Sequence, residues 1–125
     1  MTLKFARSLE EMRAVLMDPN SSGPDPVYQV FTNLNNSWVN QTVISSGLYG
    51  QEYPKTFGHH HAVPHPETYQ VFSGNGILLL ENDQEFKLIK TEAGDRLKIE
   101  PQYSHAWVNV GKTDLILLDD WDTPH

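Results

Sequence analysis

Short segments rich in β-branched, aromatic and aliphatic residues recur along most of this sequence, with turn-forming residues between them. This recurrence predicts an all-β fold, a closed or sandwiched antiparallel barrel in place of alternating strands and helices. Ser73–Gly76 and Glu81–Gln84 have the composition of hairpin turns. The predicted strands are Val27–Phe31, Gln41–Ser45, Lys55–His61, Glu67–Phe72, Gly76–Glu81, Phe86–Thr91, Arg96–Ile99, His105–Val110 and Leu115–Asp119.

One helix is predicted, and we expect it to come before all the strands. Ser8 and Glu11 have the spacing of a capping box, in which each side chain bonds the backbone of the other residue. Apolar residues then follow at helical spacing, which predicts an amphipathic helix over residues 8–17. Residues 18–26 contain three prolines among polar residues and are predicted to form a loop.

Length and composition limit the possible classes of protein. The 125 residues fit one domain, which we expect to cover residues 1–125. The formal net charge is −7 and no Lys/Arg cluster offsets it, which argues against nucleic acid as a partner. There is no cysteine, so disulfides and thiolate chemistry are excluded. No apolar run approaches the ~18–20 residues of a membrane span, and no signal-peptide core is evident, so we expect a cytoplasmic protein without a membrane partner.

The histidines of the segment Gly58-His59-His60-His61 suggest a functional site. On a strand His59 and His61 point to one face and His60 to the other. Two imidazoles on one face, joined by the carboxylate of Glu67, provide most of a divalent metal site. A His-x-His pair alone is more often surface decoration, so this prediction depends on the wider spacing of the motif.

That wider spacing resembles the two motifs of the cupin superfamily. The first motif corresponds to His59-x-His61-x5-Glu67-x6-Gly74 and the second to Gly94-x6-Pro101-x3-His105-x3-Asn109. The resemblance implies a small, jelly-roll-like antiparallel β-barrel with a short N-terminal helix. It also implies one divalent metal ion per chain. His65 lies between two prolines, where it is either an acid or base above the pocket or a solvated loop residue.

A narrower resemblance covers nearly the whole chain. The segments Thr56-Phe57-Gly58-His59-His60-His61, Glu67-Thr68-Tyr69 and Pro101-x3-His105-x3-Asn109-x-Gly111 resemble the archaeal-type cupin phosphoglucose isomerases. Arg7-Ser8-Leu9-Glu10-Glu11-Met12, Asp25-Pro26-Val27-Tyr28 and Gly50-x-Glu52 extend the similarity. Generic cupins lack these added segments.

The resemblance implies a role for each matching residue. The metal ligands are His59, His61, Glu67 and His105, and the ion is Fe(II) first, with Mn(II), Ni(II) or Zn(II) as alternatives. The substrate-binding residues are Tyr28, Thr42, Thr56 and Gly58, of which the threonines and the glycine line the phosphate. The catalytic residues are Glu67 and Tyr69.

The implied activity is that of a metal-dependent glucose-6-phosphate isomerase, which interconverts glucose 6-phosphate and fructose 6-phosphate in glycolysis and gluconeogenesis. The partner is then a sugar phosphate, and we also expect a homodimer. Two alternatives stay open, another metallo-cupin enzyme such as an epimerase or oxygenase, and a non-catalytic cupin that binds a sugar phosphate. The second alternative is suggested by the C-terminal residues. Trp121 stands where the family tends to have a pocket tyrosine, and His125 lies about two positions before that of a family histidine.

Overall fold

The computed structural model describes residues 1–58 and 66–121. Within them the chain forms nine β-strands and one short helical segment. The strands are β1 (Thr2–Arg7), β2 (Tyr28–Thr32), β3 (Asn40–Ile44), β4 (Glu67–Ser73), β5 (Asn75–Glu81), β6 (Phe86–Glu92), β7 (Arg96–Ile99), β8 (Ser104–Asn109) and β9 (Leu115–Asp119). The all-β prediction is confirmed.

The strands form two antiparallel sheets that face each other. The larger sheet has six strands in the order β1-β2-β3-β9-β4-β7, and the smaller has three in the order β6-β5-β8. The core lies between them and takes Ile44, Val71 and Leu117 from the larger sheet and Leu78 and Trp107 from the smaller one. Alternate residues of β3, β4 and β8 are buried, so each of these strands directs every second side chain inward.

The helical segment is shorter than predicted. The α-helix α1 covers Leu9–Met12, and a 3₁₀ turn follows at Arg13–Val15. The predicted capping box is confirmed, because Glu11 N–H donates to Ser8 Oγ and Ser8 N–H donates to the Glu11 carboxylate. The chain leaves the helical conformation at Leu16, which is extended, and Arg13 donates to two carbonyls of the following loop. No helix in the described ranges has the length and apolarity needed to span a bilayer.

The prediction that the helix comes before all the strands is wrong. Strand β1 precedes it and pairs antiparallel with β2, from Thr2 opposite Thr32 to Arg7 opposite Tyr28. The alternation of Leu3 and Phe5 with polar neighbours is the signal that could have identified this strand. A six-residue alternation at a chain end is a weak signal, because only pairing with β2 decides whether it forms a strand.

Two other local predictions differ from the structure. Residues 55–58 form no strand and pair only at one bridge, between Lys55 and Val108; the rest of the predicted strand Lys55–His61 lies outside the described residues. The predicted turn Ser73–Gly76 is not a hairpin, because β4 and β5 belong to different sheets. Gly74 makes this change of sheet with a φ of 96°, and a Cβ there would lie 2.7 Å from the Asp114 carbonyl oxygen. The turn Glu81–Gln84 is a hairpin as predicted, joining β5 to β6.

Candidate functional site

A buried carboxylate and a buried imidazole meet between the two sheets. Glu67 is the first residue of β4 and His105 is the second residue of β8, and the side chain of each is 1% exposed. Glu67 Oε1 lies 3.3 Å from His105 Nε2. Burying a potential ion pair in a largely apolar interior is costly, so such a pair usually serves a metal or a reaction. Carboxylate oxygen and imidazole nitrogen are also suitable ligands for a divalent transition metal.

The other two predicted metal ligands, His59 and His61, lie outside the described residues, as do His60, His65 and His125. Within the described ranges no three His, Asp or Glu side chains come together as a metal site. The donor set present, one carboxylate and one imidazole in contact, therefore fits half of the predicted site.

Tyr69 packs beside this pair. Its ring stands edge-on to the rings of His105 and Trp107, with centroid separations of 5.9 Å and 5.3 Å. Burial raises the pKa of the Tyr69 hydroxyl well above its ordinary value, and the negative charges of Glu67 and Asp119 raise it further. The phenol is therefore a hydrogen-bond donor at neutral pH.

A pocket extends inward from Tyr69. It has a volume of about 40 Å³, which is room for roughly three water molecules, so a hexose phosphate bound here must extend beyond these residues. Four residues that the sequence analysis linked to substrate or catalysis lie together in its wall. The lining residues are Tyr28, Val30, Thr42, Thr56, Tyr69, Trp107 and Asp119.

The two pocket threonines differ in how their hydroxyls are used. Thr56 Oγ1 accepts a hydrogen bond from the Trp107 backbone N–H at 3.0 Å, and this side chain thereby ties its segment to β8. Thr42 is buried on β3, and no residue of the described chain hydrogen-bonds its hydroxyl. Thr42 therefore has a hydroxyl available to a ligand, whereas Thr56 already has a structural role.

Gly58 lies apart from the threonines. It lines a separate depression beside His105, together with Leu79 and Phe86. A Cβ at Gly58 would meet no atom within 4 Å, so the absence of a side chain is not a packing requirement there. The structure thus brings Tyr28, Thr42, Thr56 and Tyr69 together but not Gly58.

Sequence reasoning missed Asp119 as a residue of this site. It ends β9, where the register places it opposite Tyr69 of β4 and Asn40 of β3. Burial raises the pKa of its carboxyl to about 7, and the charge of Glu67 adds to this, while hydrogen bonds from Asn40 and the Trp121 N–H lower it. The available signal was an acidic residue at an inward position of an otherwise aliphatic strand.

Comparison with known proteins identifies the family of this chain. Residues 14–122 match the family described as glucose-6-phosphate isomerase (GPI). The chain belongs to this family. The glucose-6-phosphate isomerase of Pyrococcus furiosus is 30% identical over 131 residues, covering 92% of this chain and 68% of that protein. A relative from Rhizobium meliloti is 33% identical over 130 residues, covering 93% of this chain and 65% of that protein.

Solved structures identify the fold of this family member as a cupin. The cupin domain of Drosophila melanogaster CENP-C has a TM-score of 0.57 and 14% identity, covering 79% of this chain and 71% of that one. An oxalate oxidase in complex with the substrate analogue glycolate has a TM-score of 0.56 and 16% identity, covering 79% of this chain and 44% of that one. At these identities the similarity shows the fold alone, and the cupin prediction is confirmed.

The similarity extends over nearly all of this chain but over a smaller share of its relatives. The chain spans about two thirds of their length, between 65% and 68% of the two proteins above. The activity of the whole relatives is therefore carried over only as a proposal.

Proposed function

We propose that this protein is a metal-dependent isomerase that interconverts glucose 6-phosphate and fructose 6-phosphate. The observation that carries the proposal is the match to the glucose-6-phosphate isomerase family over residues 14–122. The pocket lined by Tyr69 supports it, because Tyr69 also packs against His105 of the buried pair, and an aldose–ketose isomerase must hold a polyhydroxylated ligand next to a proton-transfer group. The cupins of similar fold include oxalate oxidase, but shared fold alone does not imply shared chemistry.

The metal is proposed to bind through Glu67, His105, His59 and His61. Three imidazoles and one carboxylate suit Fe(II), and also Mn(II), Ni(II) or Zn(II). When bound, such an ion polarises the carbonyl group of the open-chain sugar. The net charge of −7 also favours a divalent cation in the site, although it offers no specificity among these ions.

The reaction moves one hydrogen between C1 and C2 of the sugar. We propose that Glu67 and Tyr69 assist this transfer. Glu67 has the carboxylate that can hold a proton, and the neighbouring Tyr69 hydroxyl keeps its own proton at neutral pH. Hydrogen bonding to Glu67 is one of the causes that raise this pKa, so the Tyr69 proton is directed at that carboxylate and the phenol oxygen can accept from a sugar hydroxyl. Packing against His105 and Trp107 holds the Tyr69 ring beside the pair.

The remaining pocket residues are proposed to bind the substrate. Thr42 has a hydroxyl that no described residue occupies, and Tyr28 has a hydroxyl that accepts a long hydrogen bond of 3.4 Å from the Phe57 N–H. Gly58 and Thr56 remain substrate-binding predictions from the family resemblance. These neutral donors would bind a phosphate without a lysine or arginine, as backbone and hydroxyl groups do in anion sites.

A coupled assay tests this function directly. Metal-free protein is reconstituted with Fe(II), Mn(II), Ni(II) or Zn(II), and formation of fructose 6-phosphate from glucose 6-phosphate is followed. Turnover with at least one ion, lost in a Glu67→Gln variant, is the expected result. Absence of turnover with all four ions would contradict the proposal and favour a sugar-phosphate-binding cupin.

We also propose that the protein acts in the cytoplasm as a homodimer. The apolar face of the helix does not support the dimer, because Leu9, Met12 and Leu16 are buried in the core of the same chain. Support comes instead from β6, an edge strand of the small sheet on which Phe86 and Leu88 are exposed. Light scattering at micromolar concentration tests it, and a monomeric mass would contradict it.

A further inference from the structure

The proposed reaction leaves one buried group of the pocket unused, the carboxylate of Asp119. This residue is 1% exposed. Its Oδ1 accepts two hydrogen bonds of 2.9 Å, from Asn40 Nδ2 and from the Trp121 backbone N–H. No donor in the part of the chain that the structure describes bonds Oδ2, although the side chain lines the pocket. An ionised carboxylate oxygen in that position is stabilised if the contents of the pocket supply a donor, and without one the group is favoured in its protonated form.

A purely structural role does not require this second oxygen. The donors on Asn40 and Trp121 both bond Oδ1, so the amide oxygen of an asparagine would satisfy them equally well. What aspartate adds is a second acceptor and, when ionised, a negative charge, on a residue that lines the pocket. The residue type is therefore better explained by a ligand than by packing.

The chemistry of the pocket selects the kind of ligand group. None of the seven lining residues is a lysine or arginine, so no cation in the wall offsets the Asp119 charge. A phosphate beside this carboxylate would be repelled. A sugar hydroxyl would donate a charge-assisted hydrogen bond to it.

We infer that Asp119 is a substrate-binding residue whose Oδ2 accepts a hydrogen bond from a hydroxyl group of the sugar. The inference rests on the proposed function, because it takes a hexose phosphate as the ligand. The strand register also predicts how the sugar phosphate is oriented in the pocket. Thr42, which is proposed to bind the phosphate, lies on the same face of β3 as Asn40 and two residues further along. The sugar hydroxyl therefore lies on the Asn40 side of the pocket, and the phosphate lies away from it.

The test measures coupling between Asp119 and individual hydroxyls of the ligand. Dissociation constants for glucose 6-phosphate and its monodeoxy derivatives are measured by calorimetry at about pH 8.5, where the carboxylate is ionised. We expect one monodeoxy derivative to bind the wild-type protein about 10- to 100-fold more weakly than the parent. In Asp119→Asn most of this difference should disappear, while near-ultraviolet circular dichroism checks that the variant is folded.

Asp120→Asn is the matched control. Its carboxylate is exposed and accepts the Thr68 N–H at 2.8 Å, so the variant changes the same charge one residue away without entering the pocket. This control should discriminate among the derivatives as the wild-type protein does.

The outcomes separate this inference from the function on which it rests. If no monodeoxy derivative loses affinity for the wild-type protein, or if Asp119→Asn discriminates as before, the inference is overturned and the proposed isomerase stands. Coupling at Asp119 without isomerisation would overturn the proposed reaction alone. Absence of any binding of glucose 6-phosphate would overturn both.

Discussion

The carboxylate of Glu67 and the imidazole of His105 lie 3.3 Å apart inside the barrel, although they are 38 positions apart in the sequence. One side chain comes from the six-stranded sheet and the other from the three-stranded sheet. The pair therefore connects the two layers of the fold, and Tyr69, which packs against His105, lines the neighbouring pocket. The chemistry of the pair depends on both sheets being in place.

Replacing His105 tests the proposed metal site. His105→Gln keeps a polar side chain of similar length but removes a ligand, and it should lower the affinity for a divalent ion by more than the ~10- to 100-fold typical of an outer-shell change. Elemental analysis of the reconstituted protein measures this. His60→Ala is the comparison, because the strand predicted for His59–His61, which lies outside the described residues, would direct that side chain away from the predicted ligands. Full metal content in His105→Gln would contradict the site.

The two pocket threonines should respond differently to the same substitution. Thr42→Val removes a hydroxyl without a described partner, so it should weaken binding of glucose 6-phosphate with little change in stability. Thr56→Val also removes the acceptor of the Trp107 N–H and should cost about 1–3 kcal/mol in the free energy of unfolding. Calorimetry and denaturant unfolding measure the two effects, and Thr56→Ser, which keeps the hydroxyl, is the control. Unchanged binding in Thr42→Val would remove that residue from the site.

Asp119 should make stability depend on pH in the metal-free protein. Its pKa rises from 3.8 in the unfolded reference to about 7 in the folded state, so folding takes up a proton between these values. Stability contributed by the protonated form is therefore lost as the pH rises through about 7. Between about pH 5 and 8, the wild-type protein should lose roughly 1–3 kcal/mol of stability relative to Asp119→Asn. Denaturant unfolding at both pH values checks this, and parallel pH profiles would contradict it.

Asn109 should be important for stability and not for metal binding. Its amide Nδ2 lies within hydrogen-bond distance of the carbonyls of Ile44, Ser45 and Thr113, and its Oδ1 accepts the Gly111 N–H. Asn109→Ala leaves these buried groups unsatisfied and should cost roughly 2–4 kcal/mol in the free energy of unfolding.

Asn36→Ala is the matched control for this substitution. Asn36 is exposed and makes one local hydrogen bond of 2.8 Å to the Trp38 N–H, so the change should cost less than about 1 kcal/mol. Thermal unfolding compares the two variants. A similar loss in both would show that the Asn109 bonds add little.

Much of the fold could be predicted because its information is local. Recurring runs of β-favouring residues between turn-forming residues identified the strands from β2 to β9 within one or two residues, with the exception of the segment around Lys55. The capping box at Ser8 and Glu11 likewise depends on residues three apart. The spacing of the two motifs predicted the barrel itself, because it matches the residues of this chain to positions of a cupin barrel.

What the sequence by itself determined was therefore the type of elements and the residues worth attention, among them Glu67 and His105. Only the tertiary structure decided which strands pair, that Gly74 changes sheets, and that Asp119 faces Tyr69 and Asn40 across strand neighbours. These facts depend on contacts between residues that are far apart in the chain, and no local pattern encodes the register of such contacts. The burial that raises the pKa of Asp119 is a property of the assembled sheets, and for this reason the sequence alone did not reveal it.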